Sequence, residues 1–370
     1  MNDLCKSFAQ NFRRRRKELG LTQKEIAAVI NYSTKAISKW EAAHALPPTV
    51  ILPTLARMMQ TSVDELLAPP PIIKYYLGIA GYDECCDLAL CDIEGNILKN
   101  LTLDTVNPTV IGLDKMLKKL TDAIFHIAGE FSFGEISVSV GIDGIFRFGK
   151  NELDKLLRGL GFALVRVLSN SRNSIEAAMG DDEGIFVNIG YSSIVFVKPE
   201  KAPFIRIGGY GYHFDEPFSA FYIGKEAIKA VLLAQDGIGE KTLIEKIMRA
   251  EMNIFDGKIS PFLLSDRTLI SRLSKTVFSA YKSGDKIAEA ILRKNAEELS
   301  VMIRAASSKL NKENIKVVLY GSLCTYSNII VPIIDSVLKR YESPLKISVC
   351  FTPAVHGALK LAGLKEVQKV

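Results

Sequence analysis

Histidine is scarce in this chain, and cysteine is present without pattern. The four histidines (His44, His126, His213 and His356) form no HxxxH or HxH pair, which excludes a histidine-built zinc site by spacing. The six cysteines (Cys5, Cys85, Cys86, Cys91, Cys324 and Cys350) contain no CxxC pair. Cys85 and Cys86 are adjacent, so a strand would point them to opposite faces. Free thiols in a reducing compartment are the expectation, with neither disulfides nor a bound metal. Long apolar runs are also missing. No stretch of about 18 apolar residues occurs, so no membrane partner is expected. The opening segment MNDLCKSFAQNFRRRR has no apolar core, so no secretory signal is read there and a cytoplasmic location is expected.

The composition is that of an ordinary globular protein: 370 residues, 48% hydrophobic and 24% charged. That length exceeds one usual core, so several domains are expected. The net charge of +6 is unevenly spread. Residues 1–68 carry ten Lys/Arg against six Asp/Glu, whereas the other four-fifths of the chain is near neutral. A small basic module on a near-neutral body is the electrostatic pattern of a nucleic-acid-binding unit.

Residues 4–18 read as a basic amphipathic helix, with Phe8 and Phe12 on the apolar stripe and Gly20 closing it. Thr22 caps a second helix, with Glu25 in capping-box register. Ser33 caps a third, through about Ala42, with Ile37 and Trp40 directed inward. Further helices follow at about 51–59 and 63–67. Two short helices across a tight turn form a helix-turn-helix. The string LTQKEIAAVINYSTKAISKWE resembles the Cro-like (XRE) repressor family over residues 8–67. That resemblance makes Ser33–Ala42 the recognition helix and double-stranded DNA the partner. Residues at the start of such a helix face base edges in the major groove. Thr34, Lys35 and Ser38 are therefore the candidate base readers, and the cap residue Ser33 is a further candidate DNA contact. Gln23, Lys39, Arg13 and Arg14 are the candidate phosphate contacts. The plain alternative for the arginines is a solvated helix face.

A polyproline spacer over residues 69–73 separates residues 1–68 from the body. In the body, strands at 72–80, 87–91 and 97–103 precede a helix at 110–128 and a strand at 136–140. Strands at 184–187, 193–197 and 203–207, with a helix at 219–233, repeat that order. The duplication predicts a two-lobed α/β body, its lobes spanning 74–180 and 181–370, with the last helix as a candidate to return to the first lobe.

The series GIAGYDECCDLALCDIEGNIL, VNPTVIGLDKML, RIGGYGYHFDEPFSAFYIGKEAIKAV, VVLYGSL and FTPAVHGALKLAG resembles the BadF and N-acetylglucosamine kinase branch of the actin-like ATPase superfamily. The fold so implied is a ribonuclease H-like one, in two lobes. The resemblance brings ATP and Mg²⁺ as candidate cofactors and a sugar as candidate ligand. It assigns the ligand side to Asn107, Asn170, Gly208, Gly209, Tyr210, Asp215 and Glu216. It assigns the phosphate loops to Gly81, Asp83, Gly190, Ser192 and Gly321.

The departures from that family argue against phosphoryl transfer. The first phosphate loop, roughly GGGT in the family, reads Gly81-Tyr82-Asp83-Glu84 here, so two glycines are gone and Asp83 and Glu84 bring carboxylates that repel phosphate. Tyr191 replaces a glycine of the second loop, where it is expected to close the approach. Asn170 stands where the family has its catalytic Asp, and an amide is no general base. Ala80 stands where relatives carry a metal-holding acid. No catalytic and no metal-binding residue is therefore assigned. The iron–sulfur activators of the same branch need bridging cysteines, which this chain does not arrange. The expectation is a homodimeric DNA-binding regulator whose kinase-like body senses a small ligand. The alternatives are an active kinase or ATPase carrying a DNA-binding domain, and a body that only dimerises.

Overall fold

The computed structural model describes residues 2–251, 267–310, 312, 314–341 and 345–367. The chain divides into two compact units, Met1–Ile73 and Lys74–Val370.

The first unit is helical: α1 Asn2–Glu18, α2 Gln23–Ile30, α3 Thr34–Glu41, α4 Leu52–Met58 and α5 Val63–Leu67. Its caps follow from side-chain chemistry. Thr22 and Glu25 form a reciprocal capping box at α2, and Ser33 Oγ accepts from the Ala36 N–H at α3. Asn31 ends α2 in the left-handed conformation that an amide side chain tolerates. Phe8, Phe12, Ile26, Ile37, Trp40, Leu55 and Leu66 pack into one apolar core. One buried amide adds to it: Asn11, 3% exposed, donates to the carbonyls of Glu65, Leu66 and Ala68, which ties α1 to the end of the unit.

The second unit opens with β1 Tyr75–Gly81, β2 Cys85–Asp92 and β3 Ile97–Asp104. Then come α6 Pro108–Ile111, α7 Leu113–Ala128, β4 Ile136–Ile142, α8 Ile145–Phe148, α9 Lys150–Gly159, β5 Leu164–Leu168 and α10 Asn170–Met179. The second half has β6 Gly184–Ile189, β7 Ser193–Lys198, β8 Ile205–Ile207, α11 Ala220–Gln235 and α12 Leu243–Glu251. It continues with α13 Arg267–Arg272, α14 Ser274–Lys282, α15 Lys286–Ser307, β9 Ile315–Tyr320, α16 Ser327–Lys339, β10 Leu345–Val349 and α17 Ala354–Ala362.

The two sheets have the same plan. One is ordered β3-β2-β1-β4-β5 and the other β8-β7-β6-β9-β10. In each, a three-strand antiparallel meander carries two parallel strands on its far edge. The recurrence of strands and helix along the sequence is thus a real duplication. The first sheet packs its own core against α7 and α9, and the second packs a larger one against α11, α14, α15 and α16. The last helix, α17, returns to the first sheet, burying Val355 and Leu359 against Ala80 and Ala89. Gly357 permits its close approach to α10: a Cβ there would meet the Asn173 carbonyl oxygen at 1.9 Å.

Three expected elements differ. The first strand begins at Tyr75 rather than 72, because pairing with β2 and β4 starts there and Ile72 is exposed. The helix expected over 110–128 is two, broken at Gly112, whose φ of 82° is outside the helical region. The strand expected over 203–207 is only Ile205–Ile207.

Candidate functional site

The first unit offers one exposed, cationic helix face. Thr34, Lys35, Ser38 and Lys39 are all exposed on α3, while Ile37 and Trp40 hold its opposite side in the core. Ser33 is exposed too; its oxygen accepts the cap bond and its hydroxyl hydrogen remains for a ligand. The Gln23 side chain is engaged within the unit. Its side-chain amide donates to Glu41 at 2.8 Å, which leaves only the backbone N–H at the start of α2 for a phosphate contact. Arg16 chelates the same carboxylate and also donates to the Leu21 carbonyl. The Glu41 carboxyl is held below its usual range by these bonds, against the opposing effect of burial. The basic run therefore splits: Arg16 is structural, Arg15 donates to the Gln60 carbonyl, and Arg13 is exposed. Arg14 is half-buried.

The second unit has a cavity of about 450 Å³ between its two sheets. Turns at the ends of both meanders line it. From the first come Tyr82, Asp83 and Glu84; from the second, Gly190, Tyr191 and Ser192. Asn170, at the start of α10, and Gly321, just after β9, complete the set expected from the sequence. Five of the assigned residues thus meet in one place: Asp83, Asn170, Gly190, Ser192 and Gly321. Gly81 lies behind them, its carbonyl accepting from the Asp143 N–H at 3.0 Å.

Other assigned residues are committed elsewhere. Asn107 is not among the cavity's lining residues. It is 3% exposed; its Nδ2 donates to Asp83 Oδ1 at 2.6 Å and its Oδ1 caps α6 through Thr109. It positions Asp83. Tyr210 is 66% exposed and stacked on the Arg206 guanidinium, outside the cavity. Asp215 accepts from the Tyr210 N–H at 2.7 Å, which folds the glycine loop on itself. Gly208 and Gly209 have φ of 69° and 72°, which suits them to that turn. Glu216 is buried and paired with Arg267 at 3.5 Å. Burial raises the Glu216 carboxyl to about 7; Arg267 opposes this, while Asp83 and Asp215 add to it.

Both tyrosines of the phosphate turns are held against neighbouring groups. Tyr82 folds back toward α17, where its hydroxyl accepts from the Ala354 N–H at 3.2 Å. Burial drives its phenol far above the usual range. Tyr191 leans against the Arg267 guanidinium, 4.2 Å from its ring centre, and lines the cavity without filling it.

One residue that the sequence reading missed is central. Asp143 follows β4 and lines the cavity beside Asn170. Burial, then the nearby Asp83 carboxylate, raise its carboxyl to about 7, against a hydrogen bond from Asn170. β4 runs parallel beside β1, with Gly141 opposite Ala80. An acid, absent at Ala80, thus stands at the end of the neighbouring strand. A lone aspartate after an apolar parallel strand was the available signal, since ligands collect at the carboxyl ends of such strands.

Residues 12–66 match the helix-turn-helix family model, and residues 90–359 match that of the BadF/BadG/BcrA/BcrD ATPase family. The chain belongs to the BadF/BadG/BcrA/BcrD ATPase family. Within that family setting it is 27% identical, over 67% of its length and 84% of the relative's, to an N-acetylmuramic acid/N-acetylglucosamine kinase of Clostridium acetobutylicum. Its fold is shared with a Chromobacterium violaceum protein assigned as an N-acetylglucosamine kinase, with a TM-score of 0.61 and 19% identity over 78% of this chain and 99% of that one. A ROK family transcriptional regulator, a homologue of the E. coli MLC protein, covers 98% of this chain and 96% of its own, with a TM-score of 0.51 and 12% identity. The actin-like, two-lobed α/β body behind a helical helix-turn-helix unit is therefore the architecture of this BadF-family chain. No helix among the described residues is long and apolar enough to cross a membrane.

Proposed function

We propose that this BadF-family protein is a cytoplasmic, homodimeric DNA-binding regulator whose kinase-like body holds a small effector and does not phosphorylate it. The observation that carries the reading is the pairing of an exposed cationic recognition helix with a cleft whose phosphate turn bears Asp83 and Glu84. Backbone N–H groups cradle phosphate where side chains are absent, and two carboxylates in that turn oppose it. Asn170, at the base position inferred from the family, has an amide that cannot accept a hydroxyl proton. A regulator that spans nearly the whole chain in fold supports the reading. Effector-driven closure of the lobes would change the spacing of two recognition helices on DNA.

The reading is tested on a duplex selected from a random library with the purified protein. Fluorescence anisotropy should show salt-sensitive binding that an amino sugar or related ligand shifts by tenfold or more. If no sugar and no nucleotide moves either DNA affinity or Tm, the effector part is wrong.

An active kinase is the second reading, and Asp143 is the observation that favours it. A cleft carboxyl titrating near 7 suits a general base. Sugar-stimulated ADP release that Asp143→Asn abolishes would replace the regulator's silent cleft with a working one.

A further inference from the structure

The floor of the cleft carries two phenols from opposite sheets. Tyr82 belongs to the turn between β1 and β2 of the first sheet, and Tyr320 ends β9 of the second. Both line the cavity, and Tyr320 is only 7% exposed. Burial raises both phenols above their usual range, Tyr320 to about 12, so each is a neutral hydroxyl at pH 7. A hydroxyl removed from water needs a partner for its hydrogen and another for its oxygen.

The partners form a chain. The Ala354 N–H, at the start of α17, donates to the Tyr82 hydroxyl at 3.2 Å. The Tyr320 hydroxyl is bonded to those of Tyr82 and Ser174. Ser174 is 6% exposed and donates to the Asn170 carbonyl, one turn back in α10, at 3.1 Å. The two ends fix the sense of the whole. Tyr82 accepts from Ala354, so its hydrogen is left for Tyr320. Ser174 gives its hydrogen to Asn170, so its oxygen is left to accept from Tyr320. Every hydroxyl then donates once and accepts once. Such a chain is cooperative, because each bond polarises the next.

The chain crosses from the packing of one sheet to that of the other. Helix α17 buries Val355 and Leu359 against the first sheet, whereas Ile175 and Met179 of α10 pack with Phe186, Val318 and Tyr320 of the second. The turn of Tyr82 is otherwise held within the first sheet. Its N–H donates to the Cys85 carbonyl at 2.7 Å, and its carbonyl accepts from the Thr105 hydroxyl at 3.0 Å. A glycine at position 82, as in the phosphate loop that this turn resembles, has no side chain to enter the chain. We infer that Tyr82, Tyr320 and Ser174 act as one hydroxyl strap across the floor of the cleft, tying the first phosphate turn and the start of α17 to the second sheet. The strap does not depend on what occupies the cleft, so it stands apart from the reading of the cleft as an effector site. Any change in the angle between the sheets has to shift it.

Hydrogen exchange of the full chain at pH 7, followed at the Ala354 amide by NMR, tests this. Tyr82→Phe keeps the ring and removes the acceptor of that amide. Its exchange should quicken about fivefold, as loss of one hydrogen bond implies. Tyr320→Phe leaves Tyr82 in place and should still quicken it several-fold, because the chain is broken one step further on. Ser174→Ala should act in the same direction and less strongly. Tyr82→Phe combined with Tyr320→Phe should exchange no faster than Tyr82→Phe alone. A purely local role for Tyr82 leaves the Ala354 amide at its native rate in both Tyr320→Phe and Ser174→Ala, and that result overturns the inference. So does a double variant whose effect is the product of the two single ones. Should Tyr82→Phe fail to fold, Tyr320→Phe and Ser174→Ala still decide the matter, since neither touches the amide that is read.

Discussion

Helix α3 and the interlobe cleft are opposite in charge. On α3, Lys35 and Lys39 stand exposed beside the hydroxyls of Thr34 and Ser38. In the cleft, Asp83, Glu84, Asp87 and Asp143 face the cavity without a cation among the described lining residues. Phosphate is the natural complement of the first surface and is repelled by the second. The difference is informative because the second surface uses the turns that resemble a phosphate cradle.

Neutralising the cleft should give the largest effect. Asp83→Asn with Glu84→Gln keeps the shapes, and the amide carbonyl introduced by the first substitution can still accept from Asn107. Each carboxylate costs a nearby phosphate charge about 1 kcal/mol at high dielectric, so the pair costs about 2 kcal/mol. Mg-ADP affinity, followed by calorimetry, should therefore rise by about thirtyfold. An unchanged affinity would mean that the turn's charge does not decide what enters.

The mirror experiment is on α3. Lys35→Ala should cost about 1–3 kcal/mol on the preferred duplex and relax base preference at one position. Lys39→Ala should weaken all duplexes alike and reduce the slope of log affinity against log salt by about one. Identical, sequence-blind losses from both would show that α3 is not read in the register assigned to it.

A pH scan sharpens the acidic side. Asp143 and Glu216 both titrate near 7 in the folded chain, above the values of about 4 expected when unfolded. Between about pH 4 and 7 the folded state then holds protons that the unfolded state has lost. Stability from these two groups is fully present below that window and falls as pH rises through it. Asp143→Asn should raise the body's Tm by a few degrees at pH 8 and leave it unchanged near pH 4. A variant that tracks the native protein at both values would show that Asp143 is ionised without penalty.

The two surfaces also differed in how far they could be read from sequence. The α3 face is local: Thr22, Glu25 and Ser33 cap helices within three residues of themselves, and the apolar spacing fixes which side faces out. The repeated order of strands showed the duplicated body for the same reason. The cleft is assembled from residues far apart in the chain, such as Asp83, Asp143, Asn170 and Gly321. Motif order found three of these and missed Asp143, whose role depends on β4 lying beside β1. Asn107 caps α6 and holds Asp83, and Asn before Pro108 at a helix start is itself the mark of an N-cap.

Gln23 is the smallest and sharpest case. By position alone, at the first turn of α2, it belongs with the phosphate contacts. Its amide is instead bound to Glu41, which Arg16 also grips. Gln23→Ala would remove one donor from a charged acceptor that keeps its other partner, so the first unit should lose about 1 kcal/mol of stability. The backbone N–H groups of α2 remain, so the salt dependence of DNA binding should not change. A loss of DNA affinity without a loss of Tm would return Gln23 to the phosphate contacts and mean that its bond to Glu41 opens on DNA.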